Sequence, residues 1–280
     1  SGSKKRKTAN PTSQIVPVKL ITLNSLLLFL IAYVIIYSLN LLITGFSALV
    51  FNIPVIVYYF DVDFLIRGVD WTSDSVSGVF SSGPISMLVL SLFLLILYKS
   101  VETETGILRL LVFWMILHAL TRFFGEILAG ALLNKGFGFV ILYLFVMDTG
   151  KVVLTILGFV AMFTTGLFLA RLSLYSANIY FNDLLTSFRT RFLFYQFFLP
   201  FIFGNIIIFA IKIPRISYFD IIVNASMVLI LTAILVRSFR MEDFYFDQER
   251  RSPKLKLIIP LVAVVLLGLF RLVFGIGVRL

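Results

Sequence analysis

The chain has 280 residues and a net charge of +10; 60% of its residues are hydrophobic and only 14% are charged. A soluble domain carries about 45–50% apolar and about 25% charged residues, so this composition excludes a water-soluble globule and calls for lipid as the solvent. The absence of cysteine excludes disulfides, thiolate nucleophiles and iron–sulfur ligation, and the single histidine, His118, excludes any site that draws two imidazoles from one chain.

Residues 1–14 are polar and carry Lys4, Lys5, Arg6 and Lys7. They read as a flexible basic tail that anchors topology ahead of a span, not as a nuclear signal. The apolar run that follows is too long for a signal-peptide core and lacks a small-residue cleavage site, so it reads as a retained span. No charged residue occurs from Leu20 to Phe60. The expectation is one long helix to about Leu49, then an apolar extension to Pro54, which ends helices. Asp61–Gly83 holds Asp61, Asp63, Asp70 and Asp74 against Arg67, with Trp71 as an interfacial aromatic; it reads as an extramembrane loop. Pro84–Tyr98 reads as the second span, opened by Gly-Pro. Lys99–Gly106 reads as a charged turn, Ile107–Leu133 as the third span and Asn134–Gly138 as a Gly-rich turn.

Phe139–Ala170 has two readings, because Asp148, Thr149, Gly150 and Lys151 interrupt it. It is either one long helix or a short re-entrant piece followed by a full span. Arg171–Arg191 reads as a polar amphipathic loop, Phe192–Ile211 as a span, Lys212–Tyr218 as a turn and Phe219–Val236 as a span. Arg237–Lys256 reads as a charged loop and Leu257–Gly275 as the last span, with Arg271 snorkelling to the interface. Leu257–Phe270 is apolar on every face, which excludes the alternation of a membrane β-barrel.

Lysines and arginines set orientation. The basic tail puts the N-terminus in the cytoplasm and the acidic loop outside. One crossing for 139–170 places both later basic loops inside, and two crossings place both outside. The charge rule therefore selects seven spans within a range of six to eight, with the C-terminus outside. The expected architecture is all-α: a polytopic transmembrane helical bundle forming one domain over residues 15–280, with polar loops 61–83, 171–191 and 237–256. The composition and basic tail point to the inner membrane of a bacterium.

Trp114, His118, Arg122 and Glu126 are spaced four apart within the third span. On a helix such residues stack along one face, and His118 to Glu126 covers about 12 Å of axis. A charged group at mid-membrane costs about 2.5–3.5 kcal/mol on insertion scales, and such groups face the bundle interior or water and pair. Two readings follow: a proton or ion relay, or a buried ion pair that fixes which helices meet. Arg122 and Glu126 can pair along the helix, in the less favourable order, and His118 can reach Arg122's partners. Gly125, Ala129 and Gly130 let a second helix approach and turn the stripe toward protein. Asp148 and Lys151 mark a possible helix-break site of the kind transporters use. Pro200, Gly204 and Asn205 mark a possible hinge, or packing features of one span.

Met147–Leu154 (MDTGKVVL) resembles the LDG-type segment of the membrane-embedded site-2 metalloproteases. In that resemblance Asp148 stands where the family has its third zinc ligand. The family's HExxH helix has no counterpart in a chain with one histidine, so the resemblance implies a scaffold without the protease. No Walker motif, dinucleotide loop or nucleophile elbow occurs. The sequence thus calls for no enzyme activity, no cofactor and no metal. Its partners are the bilayer and other membrane subunits, with no nucleic acid. Two functions remain. The favoured one is a non-catalytic subunit or scaffold of a larger membrane complex, since transporters usually distribute polar groups over several spans. The alternative is a small transporter or proton-coupled membrane protein using the stripe, which requires a water-accessible cavity around it.

Overall fold

The computed structural model describes residues 18–100, 106–246 and 258–280. The basic tail 1–14 and residues 247–256 of the last charged loop lie outside the described residues. Helix α1 (Val18–Val50) has 33 residues and is about 50 Å long, more than the ~30 Å hydrocarbon core requires. It stops where Asn52 takes a left-handed conformation (φ 57°), a common way for a helix to end. The expected apolar extension is a strand, β1 (Val55–Val57), paired antiparallel with β2 (Val62–Phe64) in the register Ile56↔Asp63.

Helix α2 (Ser73–Ser100) starts well before Pro84, which corrects the second span and shortens the expected loop 61–83. The start is capped at Thr72, whose Oγ1 accepts from the Ser75 amide (3.2 Å) while Ser75 Oγ accepts from the Thr72 amide (2.9 Å). Two orphan donors are satisfied reciprocally. Polar residues 73–83 read as a loop because hydropathy ignores packing: Val76, Val79 and Gly83 are buried, and a Cβ on Gly83 would lie 2.7 Å from Asn40 Oδ1 of α1.

Helix α3 (Gly106–Leu133) follows. The ambiguous segment resolves into α4 (Phe137–Tyr143) and α5 (Asp148–Tyr175). With 7 residues, α4 is about 10 Å long and cannot cross, so the segment crosses once. A short 3-10 turn (Ser176–Ile179) and strand β3 (Asp183–Leu184) lead to α6 (Thr186–Leu193), a π-helical turn (Phe194–Phe198) and α7 (Leu199–Lys212). These last three form one crossing. It begins at Thr186 and not Phe192, because Arg189 is buried and donates to the carbonyls of Ser238 (2.6 Å), Met241 (2.7 Å) and Glu242 (2.6 Å). Lys212, expected in a turn, is the last residue of α7 and fully buried.

Helix α8 (Tyr218–Ser238), strand β4 (Phe244–Tyr245), α9 (Ile258–Ile276) and β5 (Val278–Arg279) complete the chain. Arg271 does not simply snorkel: it lies 3.9 Å over the Tyr59 ring and donates to the Ile213 carbonyl (3.1 Å).

Among the described residues, seven helical segments are long and apolar enough to cross a membrane. Strand pairing fixes their alternation. The order β2-β1-β5 closes one face of the bundle, and β3 pairs with β4 on the other. Leu280 therefore ends on the face opposite Val18, as an odd number of crossings requires. In their most apolar stretches α1 and α3 are 61% and 67% buried, against 22% for α5 and α9. The first pair forms the centre, and the second presents Phe159, Val160, Leu261 and Val264 outward.

Candidate functional site

The site starts from a close approach. A Cβ on Gly125 of α3 would lie 3.2 Å from the Val223 carbonyl and 2.7 Å from Ser226 Oγ of α8. The small residue brings the two backbones together, as the sequence led us to expect. Asp220 and Asn224, one turn apart on α8, then face Arg122 of α3. Arg122 Nη1 donates to Asp220 Oδ1 at 3.0 Å, and Nη2 to Asn224 Oδ1 at 3.3 Å. The second oxygen of Asp220 accepts from Lys212 Nζ (2.7 Å) and from the Tyr37 hydroxyl of α1 (3.0 Å). The Tyr37 ring lies 3.7 Å from Lys212 Nζ and 4.4 Å from the Arg122 guanidinium carbon, so one aromatic ring stabilises both cations.

Glu126 is held less tightly. Its Oε1 accepts from Asn40 Nδ2 of α1 (2.8 Å) and lies 3.8 Å from Arg122. The expected pairing along the stripe is therefore the longer of Arg122's two carboxylate contacts, and the guanidinium prefers the carboxylate on α8. Four helices supply the cluster, and all of its charged members are buried.

The cluster forms the floor of a cavity of about 290 Å³ lined by Arg122, Glu126, Asp220, Tyr37 and Asn40. The cavity extends to Asp61, Lys135 and Ser217 in loops on the β2-β1-β5 face, and Phe60, Phe64, Phe80, Phe139 and Phe219 rim it. Desolvation pushes the Asp61 carboxyl above its ordinary pKa, outweighing the Val62 amide that favours the carboxylate.

The rest of the stripe has other neighbours. Trp114 Nε1 donates to Ser25 Oγ (2.9 Å), and its ring meets Phe29 edge-on at 4.9 Å. His118 packs on Phe29 (4.5 Å) and Tyr33 (5.6 Å). Its Nε2 has no hydrogen-bond partner among the described residues. Asp148 is fully exposed at the start of α5 and pairs with Lys151 at 3.5 Å, apart from the cluster. Pro200 opens α7 after the π-helical turn, Gly204 packs against the Phe29 ring, and Asn205 bonds the Phe201 carbonyl of its own helix (2.8 Å). These three sit at the α1–α7 crossing and not in the cavity. Among the described residues no group of three His, Asp or Glu side chains is arranged to hold a metal ion.

Sequence reasoning missed Lys212, Asp220, Asn40 and Tyr37. One signal was available: Lys212 and Asp220 are opposite charges flanking a short turn between two apolar runs.

Composition, seven membrane-length helices and an ionic cluster inside them define an integral, multi-pass helical membrane protein. Comparison with protein-family models, with curated proteins and with solved structures gives no match.

Proposed function

We propose that the protein is a small proton-coupled transporter, with the Arg122–Asp220–Lys212–Glu126 cluster as its solute and proton site. The carrying observation is that charges from α3 and α8, with polar groups of α1, line a cavity reaching one face, while Lys212 of α7 lies buried behind them on Asp220. A purely architectural ion pair is best enclosed by apolar packing, since charge in the bilayer is costly and hydration gains nothing for rigidity. Here Arg122 and Glu126 line the cavity instead. The polar groups are also spread over four helices, which removes the reason for favouring a non-catalytic subunit.

Asp220 is committed to two cations and a phenol. Glu126, with Asn40 and a long contact to Arg122, is the acid free to exchange a proton with the cavity. Guanidinium and carboxylate groups beneath an aromatic rim suit a small polar solute carrying charge. Lys19, Lys99, Arg171, Arg191, Arg237 and Arg240 lie toward the β3–β4 face, and Arg67, Lys135, Lys151, Arg215 and Arg279 lie toward the other, where Asp61, Asp63, Asp70, Asp74 and Asp148 offset them; the small basic excess supports a cytoplasmic β3–β4 face. The cavity then opens outward, in the inner membrane of a bacterium.

The test is reconstitution into proteoliposomes holding a pH-sensitive dye, with small organic anions, cations and zwitterions added in turn. Proton movement triggered by one solute class and lost in Glu126→Gln supports the reading. No solute-driven proton movement, together with a stoichiometric companion that is lost on replacing Arg122 or Glu126, would establish the subunit reading in its place.

A further inference from the structure

The cavity accounts for the polar interior on the β2-β1-β5 side of the cluster. The opposite half of the bundle is polar inside as well. Asn24 of α1, Thr121 and His118 of α3, and Gln196 of the π-helical turn are buried there, as is Tyr180 just beyond the 3-10 turn.

These groups lie in sequence along the bundle. The Tyr180 hydroxyl faces the Asn24 amide near the β3–β4 end. Next to Asn24, Ser25 Oγ bonds both Trp114 and the Gln196 carbonyl, which sets those three residues at one level. One turn of α3 further, about 6 Å along its axis, His118 meets Tyr33. Tyr33 stacks on Tyr37 at 5.2 Å, and Tyr37 bonds Asp220 in the cluster.

Most of their polar side-chain atoms are unpartnered. His118 Nε2, Thr121 Oγ1, the Tyr33 hydroxyl and both amide atoms of Gln196 have no partner among the described residues, and the Asn24 amide and the Tyr180 hydroxyl have at most each other. In the cluster the charged groups and Tyr37 are all bonded, and the atoms left without a partner among the described residues are Asn40 Oδ1 and Asn224 Nδ2. A buried polar atom without a partner is costly, and more so in a bilayer, where lipid and apolar side chains offer none. Several such atoms on facing helices are stable when water reaches them.

We infer that water occupies this series and forms a second access limb to the ion cluster, running from the β3–β4 face past Asn24 and Gln196 to His118 and Tyr33. The cavity serves the cluster from one face and the hydrated column from the other. That the column delivers protons rests on the transport reading above; that it is wet does not.

Hydroxyl-radical footprinting of the intact protein in lipid nanodiscs, read by mass spectrometry, tests this without solute or gradient. Radicals form from water, so buried side chains beside ordered water are modified and dry ones are spared. Met87 and Phe113 are fully buried in the apolar core and serve as internal controls, the thioether being the readily oxidised one. The expected result is modification of His118, Tyr33 and Tyr180 at several times the rate of Met87. In a chain with Asn24→Leu and Gln196→Leu, His118 should fall to the Met87 level while Tyr37, on the cavity, keeps its rate. Modification of His118 and Tyr180 in the native chain no faster than Met87 overturns the proposal. A protein that moves no protons but shows the native pattern retains the column and loses only the transport reading.

Discussion

Arg122 and Asp220 stand 98 residues apart in the chain and meet at 3.0 Å inside the bundle. Asp220 holds Lys212 on its other oxygen at 2.7 Å, so one carboxylate compensates two cations on different helices. Asp220→Asn keeps the shape and removes the charge, leaving Arg122 and Lys212 buried together. Breaking a buried pair in this way costs about 3–5 kcal/mol. Thermal unfolding in detergent should show a fall in Tm of several degrees. Adding Lys212→Met should restore part of it, because the residues share one partner and their effects couple. Strictly additive losses would contradict the shared-carboxylate geometry.

Glycines test the helix packing. A Cβ on Gly166 of α5 would collide with the Ile230 carbonyl of α8, whereas one on Gly268 of α9 meets nothing within 4 Å. Gly166→Ala is expected to cost about 1–3 kcal/mol through overpacking against backbone that cannot yield. Gly268→Ala is expected to be neutral or to stabilise by about 0.5–1 kcal/mol through helix propensity. Unfolding midpoints of the two variants, compared with the parent, decide this.

Pro200 has no amide hydrogen to offer the preceding turn. The carbonyl of Gln196, four residues back, accepts instead from Ser25 Oγ, which in turn accepts from Trp114 Nε1 (2.9 Å). Ser25→Ala leaves a buried donor and acceptor unpaired, a loss of about 1–3 kcal/mol. In a Pro200→Ala background the new N–H can satisfy the carbonyl, and the cost of Ser25→Ala should shrink. A double-mutant cycle by urea or SDS unfolding reads the coupling, and zero coupling would dissociate Ser25 from the proline.

Asp243 caps the start of α6 from across a loop, its Oδ1 accepting from Thr186 N and Thr186 Oγ1, both at 2.6 Å. Those hydrogen bonds hold its carboxyl below the ordinary carboxylate pKa. A depressed folded-state pKa gives stability that is present above the unfolded value near 3.9 and lost as pH falls through the folded value. The side chain is partly exposed, so Asp243→Ala is expected to cost only about 0.5–1 kcal/mol at neutral pH. The gap between variant and parent should close below about pH 4. A gap independent of pH would remove the carboxylate from the cap.

Local patterns in the chain made α1 and α3 legible almost to the residue, since each is a long apolar run bounded by polar residues. They failed where polar sequence is helical for tertiary reasons. Residues 73–83 join α2 because a Thr72–Ser75 cap starts the helix and Gly83 fits against Asn40. Residues 186–191 join the crossing because Arg189 donates to three carbonyls at and just beyond the end of α8. Of the site, Arg122 and Glu126 stood out as charges on one face of an apolar helix. Asp220 and Lys212 did not, because each sits at the edge of its run, where a charge is ordinary.

By itself, then, the sequence determined the solvent, the helical class and the inward direction of the His118–Glu126 stripe, and its Lys and Arg favoured seven crossings within a range of six to eight. These properties follow from transfer free energies and periodicity, which accumulate residue by residue along the chain. Only the tertiary structure decided that Arg122 pairs with Asp220 in preference to Glu126, that Lys212 shares that carboxylate, and that a cavity reaches them. Those outcomes depend on how closely separate helices approach, which glycines such as Gly125 and Gly83 set through space and not along the chain.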